Sequence, residues 1–250
     1  MASRLVVITG GLSGIGAACA ARFRQEGDDV VTLDLADARR PVDVTDEGAV
    51  DEFFAGLPRP PDVLVTAAGI GEGAPLLDLD LATWRRVQSV NVEGALLCIK
   101  FAAARMVTVG AGVIVNVTSI NDRWALRGAA AYCSSKAALT MLTRVAALEL
   151  GPAGIRVVGV APGIIDTPLV AEMLAEPRME AAWRARSPLG HPAGRPADVA
   201  EVVAFLAGDR ARWITGEVVV VDGGQLQYGL PDFLAVMADP ADDTGHPSIS

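Results

Sequence analysis

The chain has 250 residues, 51% apolar and 20% charged, which suits a single α/β domain with a substantial core and excludes intrinsic disorder. A net charge of −9, with no Lys/Arg cluster to reverse it locally, excludes a nucleic-acid partner, because binding phosphates needs a basic footprint. Cys19, Cys98 and Cys133 lie in apolar segments without paired spacing and His191 and His246 are isolated, the pattern of reduced thiols in a cytoplasmic protein with no metal site.

Residues 4–9 read as a fully buried strand. Thr9-Gly10-Gly11-Leu12-Ser13-Gly14-Ile15-Gly16 follows, then a helix over 17–25. Glycines here permit a tight turn, let backbone approach a pyrophosphate and let the helix pack close on the sheet, while the helix N-terminus offers its free N–H groups to the anion. The uncharged run 5–21 superficially resembles a secretory leader, but its glycines make strand, turn and helix the better explanation. No other run is long and apolar enough to span a bilayer, so a soluble chain without a membrane partner is expected.

A strand over 30–33 ends in Asp34, followed by Leu35. A carboxylate at that strand tip, roughly twenty residues beyond the glycines, accepts hydrogen bonds from an adenosine ribose and repels a 2′-phosphate. This favours NAD over NADP; Arg39 and Arg40, close by, are the counter-signal. Asp43 and Val44 precede a helix starting near Thr45 or Asp46, with Thr45 as the expected N-cap. Residues 58–61 form a rigid linker within the domain, since another strand (63–66) and a turn of small residues, Ala67, Ala68 and Gly69, come next. Two amphipathic helical stretches fill 79–106, with Asn91 between them as either structural glue or part of a polar relay.

The strand over 113–118 runs into Ser119 and Asn121. A long helical segment, 130–151, then places Tyr132 and Lys136 one turn apart on one face. An ammonium beside a phenol favours the phenolate, so the tyrosine is expected to titrate below its ordinary ~10 and to serve as a general acid/base. The strand over 155–160 leads to Pro162-Gly163-Ile164-Ile165-Asp166-Thr167. Strands alternating with helices imply a Rossmann-like, doubly wound parallel β-sheet with helices on both faces, and ligands in such sheets bind at the carboxyl ends of the strands. The glycine turn at Gly10 to Gly16, Asp34, Ala67 to Gly69, Ser119 and Pro162 to Thr167 each stand at such an end.

Residues 169–190 read as helical, carrying Met173, Leu174, Met179 and Trp183 ahead of a Pro/Gly-rich break at 188–196, the pattern of a flap spanning about 167–195. A helix over 197–207 and a last strand over 217–221, closed by Asp222-Gly223-Gly224, complete one domain over 1–224. The tail, 225–250, begins apolar (228–237) and turns to Pro, Asp and Ser, where disorder is expected.

Taken together, Thr9 to Gly16, Asn91, Ser119, Tyr132 with Lys136, Pro162-Gly163 with Thr167, and Asp222-Gly223-Gly224 resemble the classical short-chain dehydrogenase/reductase family in order and spacing, over nearly the whole chain. The resemblance implies hydride transfer between nicotinamide and a secondary alcohol or ketone, with Tyr132 as general acid/base, Ser119 orienting the substrate oxygen, Lys136 holding the nicotinamide ribose, and Asn91 supporting a water-linked proton path. It puts Asp43 and Val44 at the adenine and Ile165 and Thr167 at the carboxamide. Asn121, Trp124, Ile164, Met173 and Trp183 are expected to line a pocket for a largely apolar small-molecule substrate. A homotetramer assembled through helices at 91–109 and 130–150 is implied as well, the apolar start of the tail reaching a neighbour's site. One departure stands out: the family's Asn-Asn-Ala-Gly is Thr66-Ala67-Ala68-Gly69 here, so the usual side-chain support of the central strand is missing. Alternatives are a 3-oxoacyl-thioester reductase, which Asp34 and the acidic charge disfavour, and a non-catalytic NAD-binding sensor or scaffold.

Overall fold

Uninterrupted apolar runs form strands buried on both faces, and that burial decides the architecture of the computed structural model, which describes residues 3–228. The elements follow in the order β1 (Leu5–Thr9), α1 (Gly14–Gln25), β2 (Asp29–Leu33), α2 (Glu47–Ala55), β3 (Val63–Thr66), α3 (Leu81–Gln88), α4 (Gly94–Val107), β4 (Gly112–Val117), α5 (Ala130–Leu150) and β5 (Ile155–Pro162). Then come α6 (Ala171–Ala175), α7 (Pro177–Ala185), α8 (Pro196–Ala207), β6 (Val218–Val221) and the short α9 (Gln225–Tyr228). The expectations for residues 229–250, and for most of the tail, lie outside the described residues.

All pairings are parallel, in the order β2-β1-β3-β4-β5-β6. Side chains alternate between two cores as the two-residue period requires. Leu5, Val7, Leu64, Ile114 and Val157 face a layer with Phe53, Phe54, Cys98 and Met106 of α2 and α4, whereas Val6, Ile8, Val65, Val115 and Val158 face Phe23, Val199, Val203 and Leu206 of α1 and α8. The doubly wound sheet expected from the alternation of elements is therefore present. From β1 the chain steps outward to β2 and then crosses to β3 on the other side, so the winding reverses between β1 and β3 and opens a crevice at their carboxyl ends.

Two local expectations are corrected. Asp46, not Thr45, caps α2: its carboxylate accepts the Ala49 N–H at 3.0 Å, while the Thr45 hydroxyl donates to Asp43 Oδ1 at 2.8 Å. The helical reading of 169–190 is divided at Glu176, which the following Pro177 forces into extended backbone (φ −81, ψ 115) and whose carboxylate caps α7 by accepting the Arg178 N–H. The two helical stretches expected over 79–106 are present as α3 and α4, and the one π-helical turn that joins them, Ser89–Glu93, carries Asn91 inward.

Candidate active site

The turn after β1 closes against the turn after β3. Gly10 has φ +64, and a Cβ there would sit 2.8 Å from Ala68 Cα; one on Gly16 would sit 2.1 Å from Gly10 O. No side chain fits either position, which is why the turn is glycine-rich and why α1 begins hard against the sheet. Ser13 stands at the N-cap in extended backbone and its side chain makes no capping bond among the described residues, and Gly14, Ile15 and Gly16 of the first turn of α1 line the crevice. Asp34, at the tip of β2, accepts the Leu12 N–H at 3.0 Å through Oδ2 and the Ala36 N–H at 2.9 Å through Oδ1. This ties the glycine turn to the second strand.

A cavity of about 800 Å³ fills this end of the crevice, lined by Gly10, Ser13, Gly14, Ile15, Gly16, Asp34, Leu35, Asp43, Val44, Ala67, Ala68, Gly69 and Thr167 among others. Leu12 does not line it: its side chain is turned to the surface and only its N–H engages, through Asp34. Neither Arg39 nor Arg40 reaches the cavity. The Arg40 guanidinium instead lies 5.3 Å from the Phe53 ring centroid on α2.

A second cavity, of about 680 Å³, continues from the first and shares Ile15, Ala67, Gly69, Glu72, Thr167 and Leu169 with it. Ser119, Asn121, Tyr132, Lys136, Pro162, Gly163, Ile164, Ile165, Met173 and Trp183 line it, together with Met179, which the sequence did not single out for the pocket. Trp124 does not belong to this wall. It is 40% exposed, and only its carbonyl takes part, accepting from Asn121 Nδ2 at 3.0 Å.

The three candidates meet in this second cavity. Ser119, delivered by the end of β4, stands beside the Tyr132 phenol, and its Oγ accepts the Asn121 N–H at 3.1 Å. Lys136, one turn along α5, is 6% exposed; its ammonium donates to Val117 O at 3.0 Å and lies 5.7 Å from the Tyr132 ring centroid. The expected lowering of the phenol by that ammonium is not found. Burial pushes Tyr132 up, only partly opposed by the Ser119 hydroxyl, and burial pulls Lys136 down to about 8. Desolvation disfavours each charged form and outweighs their attraction, so the protein alone presents a neutral phenol beside an amine that titrates near physiological pH.

Asn91 is 1% exposed and fully engaged: Oδ1 accepts the Ile70 N–H at 2.9 Å, and Nδ2 donates to Ile70 O at 2.9 Å and to Ser135 Oγ at 3.0 Å. Of the two readings left open for it, the glue is the one these partners carry out; it clamps the loop after β3 to α5. The missing asparagines of that loop are replaced by threonines. Thr9 Oγ1 accepts both the Ala67 and the Ala68 N–H at 3.0 Å. Across the sheet, Thr66 Oγ1 donates to Asn116 Oδ1 (2.7 Å), Asn116 Nδ2 to Thr143 Oγ1 (2.8 Å) and Thr143 Oγ1 to Leu139 O (2.8 Å). This buried chain joins β3 and β4 to the helix that carries Tyr132. Its signal in the sequence was one Asn in the apolar run of β4, whose register partner is Thr66.

A family model described as enoyl-(acyl carrier protein) reductase matches residues 10–225. Cis-4-hydroxycyclohexanecarboxylate dehydrogenase of Sinomonas cyclohexanicum is 42% identical over 247 residues, 89% of this chain and 96% of the relative. The chain belongs to the short-chain dehydrogenase/reductase family. Among solved structures, a 4-hydroxyisoleucine dehydrogenase mutant complexed with NADH and succinate aligns with TM-score 0.86 and 31% identity, over 91% of this chain and 100% of that one. ElxO with NADP bound aligns with TM-score 0.84 and 30% identity, over 90% and 100%. As a member of this family the protein is an oxidoreductase, and the Ser119, Tyr132 and Lys136 cluster lines the second of its two cavities.

Proposed function

We propose that this short-chain dehydrogenase/reductase is an NAD-dependent enzyme that interconverts a largely apolar secondary alcohol and its ketone, with Tyr132 as general acid/base. The observation that carries the reading is that one crevice holds both parts: its first cavity is lined by glycine backbone, its second by apolar side chains together with Ser119 and Tyr132, and the two share Ile15, Ala67, Gly69 and Thr167.

The residues present fit a nicotinamide dinucleotide. Positions where a Cβ would collide, Gly10 and Gly16, form a cradle that admits a pyrophosphate against backbone, and the first turn of α1 lines it. Asp34 at the ribose end, with Arg39 and Arg40 turned away from the cavity, supports NAD over NADP. The cofactor supplies the hydride donor or acceptor. The chain's own residues do the rest. Ser119 holds the substrate oxygen by hydrogen bonding, and the neutral phenol of Tyr132 protonates that oxygen in the reductive direction or, once ionised, deprotonates it in the oxidative direction. Lys136, held by Val117 O, supports the ionised phenol when it carries its proton. Asn91 fixes the Ala67–Ile70 loop against α5.

Assembly as a homotetramer is part of this reading, supported by an exposed apolar stripe on α5, Met141, Val145 and Leu148, beside exposed Leu96 on α4. The free cysteines Cys19, Cys98 and Cys133 agree with a reducing compartment such as the cytoplasm.

The test is a panel of cyclic and open-chain secondary alcohols and ketones, followed by nicotinamide absorbance with each cofactor. Turnover with NAD and at least roughly tenfold lower kcat/KM with NADP is the expected result. A preference for NADPH removes the Asp34 argument, and no turnover of any member removes the activity. Light scattering on the same sample that gives the mass of a monomer removes the assembly.

A further inference from the structure

The wall of the second cavity contains one side chain out of keeping with its surroundings. Trp183, on α7, is 1% exposed, and its indole Nε1 is the one buried side-chain nitrogen or oxygen without a hydrogen-bond partner among the described residues. Elsewhere in the interior the polar atoms are matched, as in the Thr66–Asn116–Thr143 chain and the Asn91 clamp. A buried N–H with no acceptor costs about 1–3 kcal/mol. An indole that only filled space here could be replaced by a ring without that penalty.

Its location gives the N–H a use. Met179 and Trp183 lie one turn apart on α7, both buried and both lining the cavity that also holds Ser119 and Tyr132. Ile164 and Met173 share the wall with Asn121 and several charged groups, yet none of these is a partner of the indole, so the donor still discriminates: ligands with an acceptor at that point satisfy it and ligands without one leave it orphaned. The charged residues of the same wall are Glu72, Glu172 and Glu176 against Arg127 and Lys136, an acidic balance that disfavours an anionic acceptor.

We infer that the substrate carries a second, neutral oxygen, a hydroxyl, carbonyl or ether remote from the reacting carbinol, and that the Trp183 indole N–H donates to it. This deepens the activity proposed above and rests on it. The substrate class is therefore a diol, hydroxyketone or hydroxyether on an otherwise apolar skeleton, and Trp183 is the residue that selects it.

The experiment compares cyclohexanol, 4-methylcyclohexanol, 1,4-cyclohexanediol and 4-hydroxycyclohexanecarboxylate with NAD, for the wild-type enzyme and for Trp183→Phe, which keeps an aromatic ring and removes the N–H. In the wild type, the diol is expected to exceed 4-methylcyclohexanol in kcat/KM by roughly tenfold or more, and to exceed the carboxylate. In Trp183→Phe the ratio of diol to 4-methylcyclohexanol is expected to fall by roughly tenfold, mostly in KM for the diol. A ratio is the readout because a merely structural loss lowers all four substrates together. The inference is overturned by a ratio that Trp183→Phe leaves intact, by a wild type that prefers 4-methylcyclohexanol, which decides the matter even if the variant fails to fold, or by a carboxylate preferred over the diol. Failure of the underlying activity looks different: none of the four alcohols reduces NAD.

Discussion

The two ends of the crevice are made of different material. The cofactor end is backbone: a glycine turn that excludes side chains, the first turn of α1, and a carboxylate tied to two of its neighbours' N–H groups. The substrate end is side chain. It holds a buried amine drawn down to about 8, a phenol pushed up, and an indole with no partner among the described residues. A backbone site is formed once the fold is formed and has little strain to release. A side-chain site carries buried polar groups whose penalties are offset only when a ligand arrives, so function and stability pull against each other there.

The substitution that separates the two ends most sharply is Tyr132→Phe. It removes one hydroxyl from the substrate end and leaves the glycine cradle untouched, so kcat should fall by ~10²–10⁴-fold, the usual weight of general acid–base catalysis. Binding of NAD, followed by fluorescence titration, should stay within about twofold of wild type. A variant that retained turnover would take the proton chemistry away from Tyr132; one that lost cofactor binding as well would show that the two ends are not separable.

Lys136→Met tests the opposition of stability and function directly. A fall in the ammonium pKa from 10.5 to about 8 on folding corresponds to about 3 kcal/mol of destabilisation when both folded and unfolded states bind the proton. The sign follows from proton uptake. Below pH 8 both states are protonated and the full penalty is present; between 8 and 10.5 only the unfolded state holds the proton, so wild-type stability recovers as pH rises. Removing the amine also removes its bond to Val117 O, which offsets roughly 1 kcal/mol. The cofactor-free variant should thus be more stable than wild type by about 2 kcal/mol at pH 7, by urea unfolding, with the gain shrinking toward pH 10 while activity is lost. A gain that does not vary with pH would mean that burial of the charge is not its source.

The same contrast explains what could be read before the fold was known. The cofactor end was legible almost throughout, because backbone geometry leaves a mark in composition: glycines where a Cβ collides, small residues at Ala67 and Ala68, a carboxylate at a strand tip. Strand positions were legible for a related reason, since a sheet buried on both faces must be apolar throughout. The substrate end was legible only where chemistry demands a particular residue, as at Ser119, Tyr132 and Lys136. Whether Trp124 or Met179 lines the pocket depends on how the loop after Ser119 and the helices after Thr167 pack, and neither has a periodicity that says so. The direction of the tyrosine shift was misread because spacing reveals that two groups are adjacent and says nothing of how much water they lose. Thr9, Thr66, Asn116 and Thr143 went unremarked as a set for a similar reason: each is an ordinary residue alone, and only the parallel register of β1, β3 and β4 makes them partners.

Asp34→Ala probes the cofactor end and should have the mildest effect. The carboxylate is proposed to do two things, to accept from the adenosine ribose and to repel a 2′-phosphate, and it also fixes the Leu12 and Ala36 amides. Its loss therefore weakens NAD binding and removes the repulsion of NADP together, and the ratio of kcat/KM for NADP to that for NAD should rise by roughly tenfold, ~1.4 kcal/mol, at low ionic strength. Because the repulsion acts between partly exposed charges, added salt should screen it in the wild type and narrow the gap between wild type and variant. A ratio that stayed put would mean that specificity is held elsewhere on the cavity wall. A collapse of both cofactors together would mean instead that Asp34 matters chiefly as the brace of the glycine turn, in which case a side chain belongs in the description of the backbone end after all.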